Sequence, residues 1–89
     1  KIEIEVTSVA EAEEAIIAGA HILLLDNMSL QDTRAVVRLN HGRALLEASG
    51  GIDIESVRSV ADCGVDLISI GALTHRVFSL DISLDFKYS

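Results

Sequence analysis

The chain has 89 residues, 49% of them hydrophobic, which allows one small core and no more. A domain of this size buries only roughly 60% of the surface its unfolded chain exposes. Fourteen acidic against seven basic residues give a net charge of −7, which argues against a general nucleic-acid or membrane-surface role, because those rest on basic patches.

The opening Lys1-Ile2-Glu3-Ile4-Glu5-Val6 has no apolar h-region and no cleavage pattern, so it does not read as a signal peptide. Its alternation predicts a strand over Ile2–Val6 with one apolar and one carboxylate face. Ser8-Val9-Ala10-Glu11 is a capping box. Ser8 is the expected N-cap of a helix that turns Val9, Ala12, Ala15 and Ile16 to one side and stops at Gly19. Ile22–Leu25 follows as a short apolar strand ending in Asp26-Asn27. Ser29 caps a second helix, with Leu30, Val36 and Val37 inward and an end near Gly42. Ala44–Ala48 is the third strand. A third helix starts at Asp53 or Ile54, bears Ile54, Val57, Val60 and Ala61, and stops at Gly64. On it Cys63, the only cysteine, reads as a buried structural thiol that excludes an internal disulfide and fits a reducing cytoplasm. Leu67–Ile70 is the fourth strand. A short helical segment is expected after Leu73, and Ile82, Leu84 and Phe86 alternate like a last strand. His21 and His41 read as surface residues. No apolar run approaches the ~20 residues of a membrane-spanning helix.

Strand ends recur at Glu5, Asp26, Ser49 and Gly71, at intervals of 21, 23 and 22 residues. Gly19-Ala20-His21-Ile22-Leu23-Leu24-Leu25 is faintly echoed by Gly64-Val65-Asp66-Leu67-Ile68-Ser69-Ile70. A strand–helix unit repeated at this length predicts an α/β fold with a parallel sheet and right-handed crossovers. About four such units make half of an eight-fold barrel of the TIM type. Its first and last parallel strands would present unpaired edges, as in a piece of a larger protein. Ile2, Ile4 and Val6 suit the helix-facing side, which sends Glu3 and Glu5 into the barrel. Glu47 and Ser49 share a face, as do Ser69 and Gly71. Polar side chains therefore gather inside, towards the C-terminal mouth where barrel active sites lie. Glu47 is then either a functional carboxylate or an ion-pair partner in the barrel core.

Two segments, Glu47-Ala48-Ser49-Gly50-Gly51-Ile52 and Ser69-Ile70-Gly71-Ala72-Leu73-Thr74-His75, run from a strand end into glycine. Such turns let backbone N–H groups approach an anion with no Cβ in the way. Each alone could be an ordinary turn. Two in order, one strand–helix unit apart, describe the phosphate grip that α/β barrels build after neighbouring late strands.

At Leu25-Asp26-Asn27-Met28, at the first of those segments, at the second extended back to Gly64 (Gly64-Val65-Asp66-Leu67-Ile68-Ser69-Ile70-Gly71-Ala72-Leu73-Thr74-His75) and at Leu80-Asp81-Ile82-Ser83-Leu84-Asp85, the chain resembles quinolinate phosphoribosyltransferase, the carboxylating nicotinate-nucleotide pyrophosphorylase. The resemblance covers nearly the whole chain and is to the C-terminal part of that enzyme. It implies that residues 1–89 are the C-terminal part of the α/β-barrel catalytic domain, without the family's N-terminal sandwich domain and first barrel units. The implied reaction converts quinolinate and phosphoribosyl pyrophosphate to nicotinate mononucleotide, pyrophosphate and CO2, with Mg²⁺, in NAD biosynthesis. The implied setting is a cytoplasmic homodimer or higher homo-oligomer, with no nucleic acid or membrane partner.

Carried over residue by residue, Glu5 and Asp26 match the family's two strand-end acids near the ribose hydroxyls and Mg²⁺. Ser49, Gly50 and Gly51, with Ile70, Gly71 and Ala72, match its two phosphate-binding loops, and His75 matches a histidine of the mouth. The basic residues that hold quinolinate's two carboxylates have no counterpart here. The chain departs from the pattern at three places. His21 stands where an acid is usual, the stretch from Asp26 to Ser49 is a few residues shorter than in some members, and Arg76 follows His75 where a small residue is common. Two other readings stay open: a related phosphoribosyltransferase-like protein with a different substrate, and a non-catalytic phosphate-binding half-barrel.

Overall fold

A computed structural model describes residues 1–70 and the backbone of residues 76–79. In chain order the elements are β1 (Glu3–Val6), α1 (Val9–Ile17), β2 (Ile22–Asp26), α2 (Leu30–Asn40), β3 (Leu45–Ser49), α3 (Val57–Asp62), β4 (Leu67–Ile70) and β5 (Arg76–Ser79). Strands β1 to β4 are parallel and lie side by side in sequence order, with β5 antiparallel beyond β4. A parallel crossover is right-handed almost without exception, so strands added always on the same side carry their helices on one face. Along that face α1 packs on α2, and α2 on α3. This is the singly wound course of a barrel, without the reversal that puts helices on both faces of an open sheet.

Alternation along the strands decides which side is dry. Val6, Leu23, Leu25, Leu46, Ile68 and Ile70 point under the helices and are at most 1% exposed. Ala12, Ala15 and Ile16 of α1 and Val36 of α2 close over them. Each fully buried Leu or Ile stabilises by on the order of 1.5–3 kcal/mol. A one-residue slip would turn the whole row outward, so this row fixes the register. The opposite parity, with Glu5, Leu24, Asp26, Glu47, Ser49 and Ser69, is half-buried or exposed. The sheet has one covered face and one open face.

Local signals set the helix ends. The Ser8 hydroxyl accepts the Glu11 N–H at 3.1 Å, and the Ser29 hydroxyl accepts the Asp32 N–H at 3.0 Å. The Glu11 carboxylate reaches back past the cap, to the Thr7 N–H at 2.7 Å. Helix α2 ends in His41 with φ 51°, and the buried Asn40 then brackets the entry to β3. Its Nδ2 donates to the Ala44 carbonyl at 2.9 Å while its Oδ1 accepts the Ala44 N–H at 3.0 Å.

Several expectations need correction. Arg76–Ser79 is a strand, where a short helical segment was expected; Val77 and Phe78 suit a pleated surface, and pairing with β4 satisfies backbone groups. The outer edge of β4 is therefore covered, not open. Helix α3 starts at Val57 rather than at Asp53 or Ile54, because Asp53 and Ser56 first close a turn on each other. Ile54, expected inward, is 49% exposed, and Leu30 is also exposed. Cys63 is buried as expected, and burial pushes its thiol up. The strand expected at Ile82, Leu84 and Phe86 lies outside the described residues. No helix among the described residues is long and apolar enough to cross a membrane.

Candidate functional site

The C-terminal ends of β2 and β3 are locked together. Asp26 closes β2 directly beside Ser49 in the parallel register. The chain then turns at Asn27, whose φ of 56° is in the left-handed region, and the Asn27 N–H donates to the Ser49 carbonyl at 2.8 Å. Gly50 follows with φ 83° and faces this turn. A Cβ at Gly50 would stand 2.8 Å from Asp26 Oδ1 and 2.9 Å from the Asn27 backbone nitrogen. The carboxylate could swing aside, but the backbone nitrogen has nowhere to go. Gly50 is thus required twice, by its φ and by its space.

Asn27 is a residue to which the sequence reading assigned no role of its own. The available signal was its type, because Asn enters the left-handed region far more readily than most side chains. It holds Asp26 in place from one side while Gly50 admits it from the other.

Glu5 lies opposite Leu24, so Asp26 stands one side-chain step further towards the mouth on the same open face. Strand spacing puts the two Cα atoms about 8 Å apart. Glu5 is exposed on the outer strand and also lines a groove of about 340 Å³ with Ile4, Val6 and Glu11. That groove follows the β1 edge and includes neither Asp26 nor Gly50. Among the described residues, no protein donor hydrogen-bonds either carboxylate. No three metal-binding side chains gather among them either. Two carboxylates with free oxygens are nonetheless a fitting donor set for Mg²⁺, which keeps several waters and takes only one or two protein carboxylates beside substrate phosphates.

The remaining expected positions divide. Ser49 is half-buried on the open face and Gly51 is exposed beside Gly50. Ile70 ends β4 completely buried under the helices, so only its backbone can meet a ligand. Gly71, Ala72 and His75 lie outside the described residues. Glu47 is half-buried on the open face, and among the described residues its partner is a hydroxyl: Ser69 Oγ donates to Glu47 Oε2.

The family model described as quinolinate phosphoribosyl transferase, C-terminal domain, matches residues 1–85. The chain belongs to that family. It is 42% identical over 88 residues to a probable nicotinate-nucleotide pyrophosphorylase (carboxylating) of Bacillus subtilis, covering 99% of this chain and 30% of that protein. The nicotinate-nucleotide pyrophosphorylase (carboxylating) of Dictyostelium discoideum is 44% identical over 90 residues, with 98% and 30% covered. The solved nicotinate-nucleotide pyrophosphorylase of Francisella tularensis superposes with a TM-score of 0.77 at 43% identity, over 86% of this chain and 28% of that one. That of Ehrlichia chaffeensis gives 0.79 at 37%, over 88% and 28%. The chain spans about 30% of the length of the curated relatives it matches.

At the N-terminal ends of the strands, the His21 N–H donates to the Ile2 carbonyl at 2.8 Å and its Nδ1 accepts the Ile2 N–H at 2.9 Å. Asp66 does the same one repeat pair later, donating to the Leu46 carbonyl at 2.9 Å and accepting the Leu46 N–H on Oδ2 at 2.9 Å. An imidazole nitrogen therefore does the work of a carboxylate oxygen here. Position 21 lies at the end of the sheet remote from the mouth.

Proposed function

We propose that this chain supplies the ribose-phosphate and Mg²⁺-binding part of a carboxylating nicotinate-nucleotide pyrophosphorylase. The reaction joins quinolinate to phosphoribosyl pyrophosphate, giving nicotinate mononucleotide, pyrophosphate and CO2 on the way to NAD. The observation that carries this reading is the interlock of Asp26 and Asn27 with Ser49 and Gly50 at adjacent strand ends, in a chain of this family. The curated relatives bear the name of the same activity.

The chemistry asks for what this end of the sheet offers. Loss of pyrophosphate leaves an oxocarbenium-like ribosyl centre, as in glycoside cleavage. Carboxylates at Glu5 and Asp26, free of donors from the described residues, stabilise that positive charge and accept hydrogen bonds from ribose hydroxyls. Gly50 and Gly51 let backbone N–H groups reach the 5-phosphate and fix the sugar's orientation. Gly71, Ala72 and His75 take the roles that the family motif gives them, through a second phosphate loop and the rim. Glu5 and Asp26 would hold Mg²⁺, which when bound offsets the negative charge of the pyrophosphate group. Groups that bind quinolinate come from outside this chain. The reading also includes a cytoplasmic homo-oligomer, carried by the family resemblance alone.

The test is turnover by the complete enzyme that contains this chain. Release of CO2 and nicotinate mononucleotide from quinolinate, dependent on phosphoribosyl pyrophosphate and Mg²⁺, is the expected result. Consumption of phosphoribosyl pyrophosphate with another acceptor and none with quinolinate would move the protein to a relative of different substrate. Phosphate binding without any turnover would leave a non-catalytic module.

A further inference from the structure

Among the described residues, three half-buried carboxylates face neither plain solvent nor the core: Asp26, Glu47 and Asp66. Asp66 is explained by the Leu46 N–H, and Asp26 by its place in the mouth. Glu47 is left over, and the reaction described above does not use it.

Its position is specific. Backbone pairing between β2 and β3 runs over five residue pairs and reaches Asp26 with Ser49. Pairing between β3 and β4 covers only Glu47 with Leu67 and Ala48 with Ile68, and stops there. Beyond that point β4 is held from its other side, where Ser69 and Ile70 pair with Val77 and Arg76 of β5. The Ser69–Glu47 hydrogen bond crosses from β4 to β3 just where the backbone ladder between them ends. One residue further along, β3 delivers Ser49 into Gly50 and Gly51, and β4 ends in Ile70.

We propose that Glu47 and Ser69 are a positioning couple that sets the gap between the ends of β3 and β4, and with it the span of the phosphate grip. This rests on the phosphoribosyltransferase reading above. The couple touches no reacting atom. It substitutes a side-chain bond for the missing rung of backbone pairing, so that β4 cannot drift towards β5 when the phosphate pulls on the grip. A half-buried carboxylate accepting from a hydroxyl is stronger than a neutral pair, which suits it to this task. Misplacing a binding group by about 1 Å can cost about 10²-fold in rate, so a small change of gap is readable in kinetics.

The experiment uses the complete enzyme and the variants Ser69→Ala, Ser69→Thr, Glu47→Ala and Glu47→Gln. Ser69→Ala and Glu47→Ala should each raise KM for phosphoribosyl pyrophosphate by about 10-fold while kcat changes by less than about 3-fold. The double variant should be no worse than either single one, because both remove the same bond. Ser69→Thr keeps the hydroxyl and should recover most of the loss. Glu47→Gln keeps an acceptor oxygen and should lose less than Glu47→Ala. Unchanged KM with a lowered melting temperature in both alanine variants would make the couple purely structural and overturn the proposal. A kcat loss well beyond about 3-fold in both Glu47→Gln and Glu47→Ala would also overturn it, by showing that the charge acts on the reaction itself. An inactive parent enzyme would sink the functional reading, whereas an active parent with unmoved variants sinks only the couple.

Discussion

The two ends of the parallel strands both carry polar residues and use them in opposite ways. At the N-terminal ends they are closed onto the backbone: His21 holds Ile2, Asp66 holds Leu46, and Asn40 brackets Ala44. Left-handed residues occur there too, at His41 and Gly42, but they only terminate α2. At the C-terminal ends Glu5 and Asp26 accept nothing from the described protein, and left-handed backbone at Asn27, Gly50 and Gly51 holds two strand ends against each other. Polar groups satisfied internally serve folding. Free carboxylates beside constrained backbone are available to something that comes from outside. Barrels place stability and catalysis at the same two ends.

The largest expected effect comes from comparing one glycine at each end. Gly42 and Gly50 both have positive φ, 72° and 83°, but a Cβ at Gly42 meets nothing within 4 Å. Gly42→Ala should therefore cost only the conformational penalty, about 1–2 kcal/mol of stability, with kinetics unchanged. Gly50→Ala also collides with the Asn27 backbone, and kcat/KM for phosphoribosyl pyrophosphate should fall on the order of 10²-fold. Steady-state kinetics beside urea unfolding of the complete enzyme checks both. Equal kinetic losses would erase the distinction between the ends.

Next come the carboxylates. Glu5→Gln and Asp26→Asn keep shape and remove one charge each. Their kcat should fall by up to about 10²-fold, more than substrate binding weakens, because the charge matters most in the transition state. The double variant should show less than the combined loss if both act on one ribose–metal assembly, as proposed. Melting temperature should hold, as neither carboxylate has a protein donor among the described residues. Unaltered kcat and Mg²⁺ dependence would reduce both acids to strand-end decoration.

Much of this contrast could be read from the residues. Alternation in Ile4, Val6, Leu23, Leu25, Leu46, Ile68 and Ile70 is strict, and burial follows it, complete at all but Ile4, which is half-buried on the outer strand, so strands, faces and open-face carboxylates were legible. The caps at Ser8 and Ser29 were legible because one side chain and one N–H three residues on suffice. The interlock was not. That Gly50 abuts Asp26 and Asn27 depends on the register between two strands, which no local pattern encodes. Likewise Glu47 had no visible partner until the β3–β4 pairing brought Ser69 beside it. Arg76–Ser79 was misread because four residues are too few to show a period, and the edge of β4 decided their conformation.

At the folding end, the larger effect belongs to Asn40. Asn40→Ala removes two hydrogen bonds and leaves the buried Ala44 N–H and carbonyl unpaired, a loss of about 1–3 kcal/mol. Urea unfolding should show it with KM unchanged. His21 makes a more exposed bond, so His21→Ala should cost only about 0.5–1.5 kcal/mol. His21→Asp should restore the parent's stability, because Asp66 shows a carboxylate making the same bond. If His21→Asp were as unstable as His21→Ala, the equivalence of the two positions would be wrong.

The smallest effect tests the contrast from within the mouth. Asp53 follows the Gly50-Gly51 turn, yet unlike Asp26 it is satisfied by the protein: the Ser56 N–H donates to its Oδ1 at 2.9 Å. That backbone bond, then the Ser56 side chain, holds its carboxyl below the ordinary carboxylate value. A depressed folded-state pKa contributes stability above the unfolded pKa and loses it as pH falls through the folded one. The contribution should therefore be complete near neutrality and disappear on acidification below the ordinary carboxylate range. Asp53 is fully exposed, so solvent keeps the effect small. The measurement is the urea midpoint of the parent against Asp53→Asn from neutral pH downwards. The parent should lead slightly at neutral pH and the two should converge in acid, with kinetics equal throughout. A lead that persists into acid would mean that Asp53 acts through shape rather than charge. A kinetic loss in Asp53→Asn would place it with Asp26, and satisfaction by the protein would no longer separate folding carboxylates from working ones.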